Sequence, residues 1–208
     1  MIEIPTGTLA KVSAENPDVD PRKFYDSWAK DYNDDLIYNY GYVAHKISTL
    51  EFCKLVSNKT IQIIDVGCGT GLVGKELKKL GYNHIDGYDI SSKMLERARK
   101  TGAYQDLIEL DLKEQIDSKF KTYDALISVG CFGYGSLNRS SLLNLIKLVN
   151  SDGIILIFMN AQPFTSKNYH EYITCLDKQG LWKIISISEH NYMNKLKRPG
   201  KLIIAIKK

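Results

Sequence analysis

The chain has 208 residues, 44% of them apolar and 25% charged, a balance that suits one globular domain with a buried core and leaves no room for two catalytic domains. No run approaches the roughly 18 to 20 consecutive apolar residues of a membrane span, and Met1–Pro17 lacks the basic-then-apolar layout of a secretory leader, so neither a membrane protein nor a secreted precursor is expected. An excess of 28 basic over 24 acidic residues is too mild to call for nucleic acid, and Cys53, Cys68, Cys131 and Cys175 are too scattered for a disulfide framework or a metal site, which points to a reducing cytoplasm and no bound metal.

Residues 1–21 mix Gly, Pro, Ser, Asn and Asp without periodicity and are expected to form a loosely packed or disordered arm. From Pro21 onward Phe24, Trp28 and Tyr32 recur at every fourth position, and Tyr42, Val43, Ile47, Leu50, Phe52 and Leu55 make a second helical series, so residues 22–56 are predicted to hold two aromatic-rich helices. Short β-branched runs follow at Thr60–Val66, Ile85–Tyr88, Leu107–Leu110, Tyr123–Val129 and Gly153–Phe158. Helical segments are predicted at Leu72–Leu80, Ser92–Lys100, Ser141–Val149 and Ser166–Lys178. Such alternation implies a parallel sheet covered on both faces, an α/β doubly wound fold. Trp182–Tyr192 and Lys201–Lys207 break it: the polar stretch between them is too short for a crossover helix, so they should pair as an antiparallel hairpin at one edge.

The chemistry concentrates in Ile63-Ile64-Asp65-Val66-Gly67-Cys68-Gly69-Thr70-Gly71-Leu72, a strand that runs through glycines into a helix. Missing Cβ atoms at Gly67, Gly69 and Gly71 permit a tight turn and close approach of a ligand, while the following helix aims free N–H groups at the same place. A dinucleotide fingerprint wants a third glycine where Leu72 stands, and Asp65 would repel a pyrophosphate, although it can accept hydrogen bonds from a cationic ligand or from the loop. No Lys-Ser/Thr pair follows the glycines, which excludes a P-loop. Asp89 closes the second strand roughly 20 residues beyond the glycine turn, where a carboxylate can take both hydroxyls of a ribose, and Asp111 follows the third run, placed to meet an adenine amino group.

The acid-x-G-x-G-x-G loop, together with the closing hairpin, resembles the class I S-adenosylmethionine-dependent methyltransferases over about residues 22–208. Within that superfamily Tyr25-Asp26-Ser27-Trp28-Ala29-Lys30-Asp31-Tyr32-Asn33 and Tyr38-Asn39-Tyr40 resemble the start of the Williams-Beuren-region methyltransferase-like proteins, which usually carry Asp where Asn33 stands. The resemblance implies a Rossmann-like, mostly parallel seven-stranded sheet with lid helices before it and S-adenosylmethionine as cofactor. It also implies that Gly67, Cys68 and Gly69 line the methionine and ribose portion, that Asp89 holds the ribose hydroxyls, and that Ile90 packs on adenine beside Met94. Asp111 would reach the adenine amino group, the Leu112 backbone would read the ring edge, and Gly130 would lie under the methionine moiety. Tyr25, Trp28 and Tyr32 would form a lid whose ring faces suit a sulfonium.

Ser128-Val129-Gly130-Cys131-Phe132-Gly133-Tyr134 lacks the Asn/Asp-Pro-Pro-aromatic tetrapeptide of methyltransferases acting on exocyclic or amide nitrogens, and no Pro-Cys nucleophile of the cytosine C5 type is present. With short substrate-side loops, this favours a small-molecule acceptor, with neither nucleic acid nor membrane as partner. No general base is evident, so no catalytic residue is assigned. A module that binds S-adenosylmethionine or its product without turnover, a methyltransferase acting on a protein, and a nicotinamide-dependent enzyme remain as alternatives, the last disfavoured by Leu72 and Asp65.

Overall fold

The structure is a computed structural model that describes residues 20–114, 116, 120–132 and 137–208. Residues 1–19 of the predicted arm lie outside the described residues. The chain enters through α1 (Pro21–Trp28), whose cap is built by the Asp20 carboxylate accepting the Arg22 N–H at 2.9 Å, with proline at the first helical position where no intrahelical donor is needed. A single turn, α2 (Tyr32–Asp34), runs into a π-helical turn at Asp35–Asn39, and α3 (Ala44–Leu55) follows.

Seven strands form one sheet: β1 (Ile63–Val66), β2 (Ile85–Asp89), β3 (Leu107–Glu109), β4 (Tyr123–Val129), β5 (Val149–Asn160), β6 (Trp182–Met193) and β7 (Arg198–Lys207), in the order β3-β2-β1-β4-β5-β7-β6. β3 through β5 in that order are parallel, and β7 pairs antiparallel with both β5 and β6. The crossovers carry α4 (Leu72–Lys79), α5 (Ser92–Arg99) and α6 (Ser141–Lys147), and α7 (Ala161–Ser166) and α8 (Tyr169–Lys178) lead into β6.

Both faces are covered because strand residues alternate between two cores. Ile155, Ile157, Met159, Ile203 and Ala205 face α6 and α8, in a layer with Leu142, Leu145 and Ile173. Leu156, Phe158, Leu202 and Ile204 face the other way, with Phe52, Val73 and Leu77. The chain leaves β1 toward β2 and β3 on one side, then returns to place β4 on the other. The carboxyl ends of β1 and β4 therefore diverge, and the crevice of a doubly wound sheet opens there.

The predicted fold is observed, with local corrections. The predicted helix Ser166–Lys178 is observed as α8 from Tyr169, after Asn168 in the left-handed region at φ +53, while Ser166 ends a separate, unpredicted helix α7. In the second helical series Leu50 and Leu55 face solvent, 55% and 44% exposed, and the buried stripe is Ala44, His45, Ser48, Thr49 and Phe52. Small residues on that stripe let the helix lie close on the sheet, which the count of large apolar residues did not register. β7 begins three residues earlier than predicted and includes Pro199. Its ladder with β5 ends at Gly200, so the proline's missing N–H removes no bond there.

Candidate active site

Asp65 is the penultimate residue of β1, whose four residues are all buried, and after Val66 the chain turns through Gly67 and Gly69 at φ +67 and +54, a region that excludes most side chains. A Cβ on Gly67 would stand 2.1 Å from the Cys131 Sγ, whereas one on Gly69 would enter open space with nothing within 4 Å. The loop is therefore packed tightly against the connection after β4 on one side and open on the other. On the open side the Gly69 N–H donates to Asp89 Oδ2 at 2.8 Å, and the Ser91 N–H donates to Asp89 Oδ1 at 2.9 Å. These two bonds fix the carboxylate plane at the end of β2. Burial raises the Asp89 pKa above the ordinary carboxylate value, and the surrounding backbone donors pull it back.

A slot with about 610 Å³ of free space, part of it continuous with solvent, runs along this edge. The structure brings ten of the thirteen predicted residues to its wall: Tyr25, Tyr32, Gly67, Gly69, Asp89, Ile90, Met94, Asp111, Leu112 and Gly130. Ile90 and Met94 are carried by the start of α5, which Ser91 caps by accepting the Met94 N–H at 3.1 Å. Tyr25 and Tyr32 cover the slot from α1 and α2, their rings edge-on to each other with centroids 6.4 Å apart.

Three predicted residues stand behind the wall. Trp28 is buried, donates its indole N–H to Asp35 Oδ2 at 2.7 Å, and packs on the back of Tyr32 at 4.7 Å between centroids. Cys68 is buried against β2, near Gly87. Asp65 is buried and accepts the Tyr104 hydroxyl on Oδ2 at 2.7 Å, and burial pushes its carboxyl up to about 7. Tyr104 in turn accepts the Gly74 N–H at 3.1 Å, and a Cβ on Gly74 would stand 2.3 Å from the tyrosine ring. That glycine in mid-helix was the signal that a bulky neighbour presses there.

Tyr88, Leu110, Val129, Cys131 and Leu137 also line the slot and were missed. Four of them adjoin a predicted residue in sequence, because a strand that ends at a pocket presents consecutive residues to it. Leu137 carries no such signal. Cys131 hangs its thiol over the carbonyls of Val66 and Gly67, at 3.3 and 3.5 Å, and burial pushes its pKa up to about 12, so it is a neutral thiol at the wall.

Residues 63–153 match the family of the methyltransferase domain. Over 168 residues the chain is 31% identical to methyltransferase-like protein 27 of Homo sapiens, covering 77% of this chain and 67% of that protein. The chain belongs to the class I S-adenosylmethionine-dependent methyltransferases. Another relative, the 18S rRNA (guanine-N(7))-methyltransferase of Bos taurus, is 38% identical over 80 residues, which cover 38% of this methyltransferase and 28% of the bovine protein. Among solved structures, that of the plantazolicin methyltransferase BpumL in complex with SAH superposes with a TM-score of 0.66 at 16% identity, covering 97% of this chain and 96% of that one. The fold of this methyltransferase is thus that of a protein whose structure holds the demethylated cofactor.

The residues present suit S-adenosylmethionine. A carboxylate held by backbone donors offers acceptors for a diol, Ile90, Met94, Leu110 and Leu112 offer an apolar slot for a purine, and two tyrosine rings offer π faces to a cation. No cluster of three or more His, Cys, Asp or Glu that could hold a metal occurs among the described residues, and no described helix is long and apolar enough to cross a membrane.

Proposed function

We propose that this methyltransferase acts on a small-molecule acceptor, with the cofactor seated along the slot between β1 and β4, and that residues 22–208 form the catalytic domain. The observation that carries the reading is the pairing of the Gly69 N–H with the Asp89 carboxylate at 2.8 Å, which joins the glycine turn to the ribose-binding position in one rigid unit. S-adenosylmethionine, when bound, would supply a methyl carbon activated by a sulfonium; an acceptor lone pair would take that carbon as the carbon–sulfur pair moves onto sulfur, and a neutral amine acceptor, unlike a thiolate or phenolate, would then release a proton to water.

The chain's own residues then bind, orient and dry the site. Asp89 accepts the ribose hydroxyls, Asp111 and the Leu112 backbone read the adenine edge, and Gly67, Gly69 and Gly130 let the backbone approach the methionine portion. Tyr25 and Tyr32 close over the slot, and Trp28, Asp65 and Cys68 support it from behind. Burial first, then neighbouring tyrosine hydroxyls and acidic groups, holds the Tyr32 pKa well above its ordinary value, so the phenol stays neutral. Alignment of this kind can supply roughly 7 to 11 kcal/mol of the barrier. No His or Lys lines the slot among the described residues, so the acceptor brings its own lone pair, as a thiolate, a phenolate or a neutral amine does.

Isothermal titration with S-adenosylmethionine, S-adenosylhomocysteine and NAD tests the site. Both sulfur compounds should bind and NAD should not, and Asp89→Ala should weaken them by about 1.5–3 kcal/mol, the range for hydrogen bonds to a charged group. Unchanged affinity in that variant overturns the ribose role. Labelled methyl transfer into a metabolite extract tests the acceptor class, and label found only in protein or RNA overturns it.

A further inference from the structure

The slot runs from the ends of β2 and β3, near which Asp89, Ile90, Met94 and Leu112 lie, across the glycine turn to Gly130 at the end of β4. Many of the neutral donors at that far end are already spent. Gly67 and Cys68 donate their N–H groups to the Tyr88 carbonyl at 2.7 and 3.0 Å, Gly69 donates to Asp89, and Gly130 donates to the Phe158 carbonyl at 2.9 Å. The Cys131 thiol is turned to the Val66 and Gly67 carbonyls, Tyr88 shares its hydroxyl with Tyr123 at 3.1 Å, and no Lys, Arg or His is among the described residues lining the slot.

The Tyr42 hydroxyl is not spent. Tyr42 lies just ahead of α3 and is 9% exposed, and its hydroxyl makes no hydrogen bond among the described residues. A Cβ on Gly130 would stand 3.3 Å from that oxygen, and Gly130 sits at φ +81, a region that favours glycine. The missing side chain therefore leaves the phenol next to the slot. Its ring is stacked on His45 at 5.6 Å and edge-on to Tyr192 at 5.9 Å between centroids, and its N–H donates to the Leu36 carbonyl at 2.9 Å. Burial first, then Tyr192, Cys131, Asp65 and Tyr25, raises its pKa well above the ordinary value, so it stays a neutral donor. Of these neighbours Cys131 and Tyr25 line the slot.

We propose that the Tyr42 hydroxyl donates to the α-carboxylate of the cofactor's methionine portion and so selects ligands that carry the amino-acid end. The inference rests on the methyl-transfer reading above and assigns a residue to a part of the ligand that Asp89 and Asp111 leave unheld. A carboxylate taken out of water needs donors, and with no cation on the wall a phenol already fixed in place supplies one at little entropic cost. Asp65 is the acid whose charge Tyr42 feels, and burial holds its carboxyl up at about 7. The α-ammonium on the same end of the ligand offsets what charge it carries at neutral pH. A buried phenol with a purely structural role bonds to protein instead, as the Tyr82 hydroxyl does with the Val56 carbonyl and the Tyr104 hydroxyl with Asp65.

Titration of the parent and of Tyr42→Phe with three probes tests the assignment: S-adenosylhomocysteine, its α-carboxamide, and 5′-methylthioadenosine, which lacks the amino-acid end. The substitution keeps the ring and its packing and removes the hydroxyl alone. The variant should bind S-adenosylhomocysteine about tenfold or more weaker, the carboxamide at most about threefold weaker, and 5′-methylthioadenosine as the parent does. Unchanged affinity for 5′-methylthioadenosine also certifies the fold of the variant. The proposal is overturned if the variant binds S-adenosylhomocysteine as the parent does, if all three probes weaken alike, or if the acid and its carboxamide weaken alike. A parent that binds neither S-adenosylhomocysteine nor 5′-methylthioadenosine would instead sink the methyl-transfer reading and this inference with it.

Discussion

At the scale of single residues the glycine turn depends on a carboxyl buried without full compensation. Asp65 accepts the Tyr104 hydroxyl on one oxygen, while its other oxygen is buried with no hydrogen-bond partner. Burial is the leading cause of its rise to about 7, so between about pH 4 and pH 7 the folded protein holds a proton there that the unfolded chain has lost. Stability contributed by this residue therefore falls as pH rises through that window, by about 1.4 kcal/mol per unit at most. His45 works in the opposite sense. Burial lowers it to about 4, so its contribution is present above the unfolded value and is lost as pH falls from about 6.5 to about 4. The two slopes offset each other in the parent, and a single substitution uncovers one of them. Asp65→Asn keeps an acceptor for Tyr104 and removes the titration, so its urea midpoint relative to the parent should climb from pH 4.5 to pH 8. A difference that stays flat with pH would show that Asp65 is ionised throughout.

At the scale of elements, α1 is held over the slot by contacts outside it. The Asp26 carboxylate accepts the Ser91 hydroxyl at 2.6 Å and the Lys93 N–H at 3.2 Å, so one side chain from the lid completes the cap of α5. Arg22 pairs with Glu109 at the end of β3, and the Thr70 hydroxyl donates to Asn33 Oδ1 at 2.5 Å, tying α2 to the glycine loop. Asp26→Ala loses a cap contact and a lid contact together, and S-adenosylhomocysteine affinity should drop by about 1 kcal/mol while trypsin cuts sooner at Arg22, Lys23 and Lys30. Unaltered cleavage would mean that α1 is fixed by its aromatic packing alone. The elements themselves were legible because strand and helix differ in hydrophobic period, and the glycine turn because only glycine tolerates those backbone angles. Tyr88, Val129 and Cys131 were not, since a pocket wall is set by where neighbouring strand ends meet in space. Tyr104 was hidden for the same reason: its partner Asp65 lies 39 positions away in the chain.

At the scale of the whole molecule, the lid and the C-terminal hairpin are one structure. The Val43 N–H donates to the Tyr192 carbonyl at 2.8 Å and the Asn194 N–H to the Gly41 carbonyl at 3.1 Å, while Tyr42 and Met193 form an isolated antiparallel bridge. The segment that bears Tyr25 and Tyr32 is thereby anchored to β6, and a ligand in the slot touches it together with the ends of β1, β2 and β4. Occupancy should then stabilise the fold as a unit. With S-adenosylhomocysteine at 100 times its dissociation constant, mass action adds about 2.7 kcal/mol, which for a domain of this size raises Tm by about 5–10 °C. Hydrogen exchange should slow in α1 and the glycine turn, and also at the Gly41–Val43 and Tyr192–Asn194 junction, whose residues do not line the slot although the Tyr42 hydroxyl packs close to Gly130 on its wall. Protection confined to the glycine turn, with the junction unchanged, would show that the lid moves independently of the hairpin that anchors it.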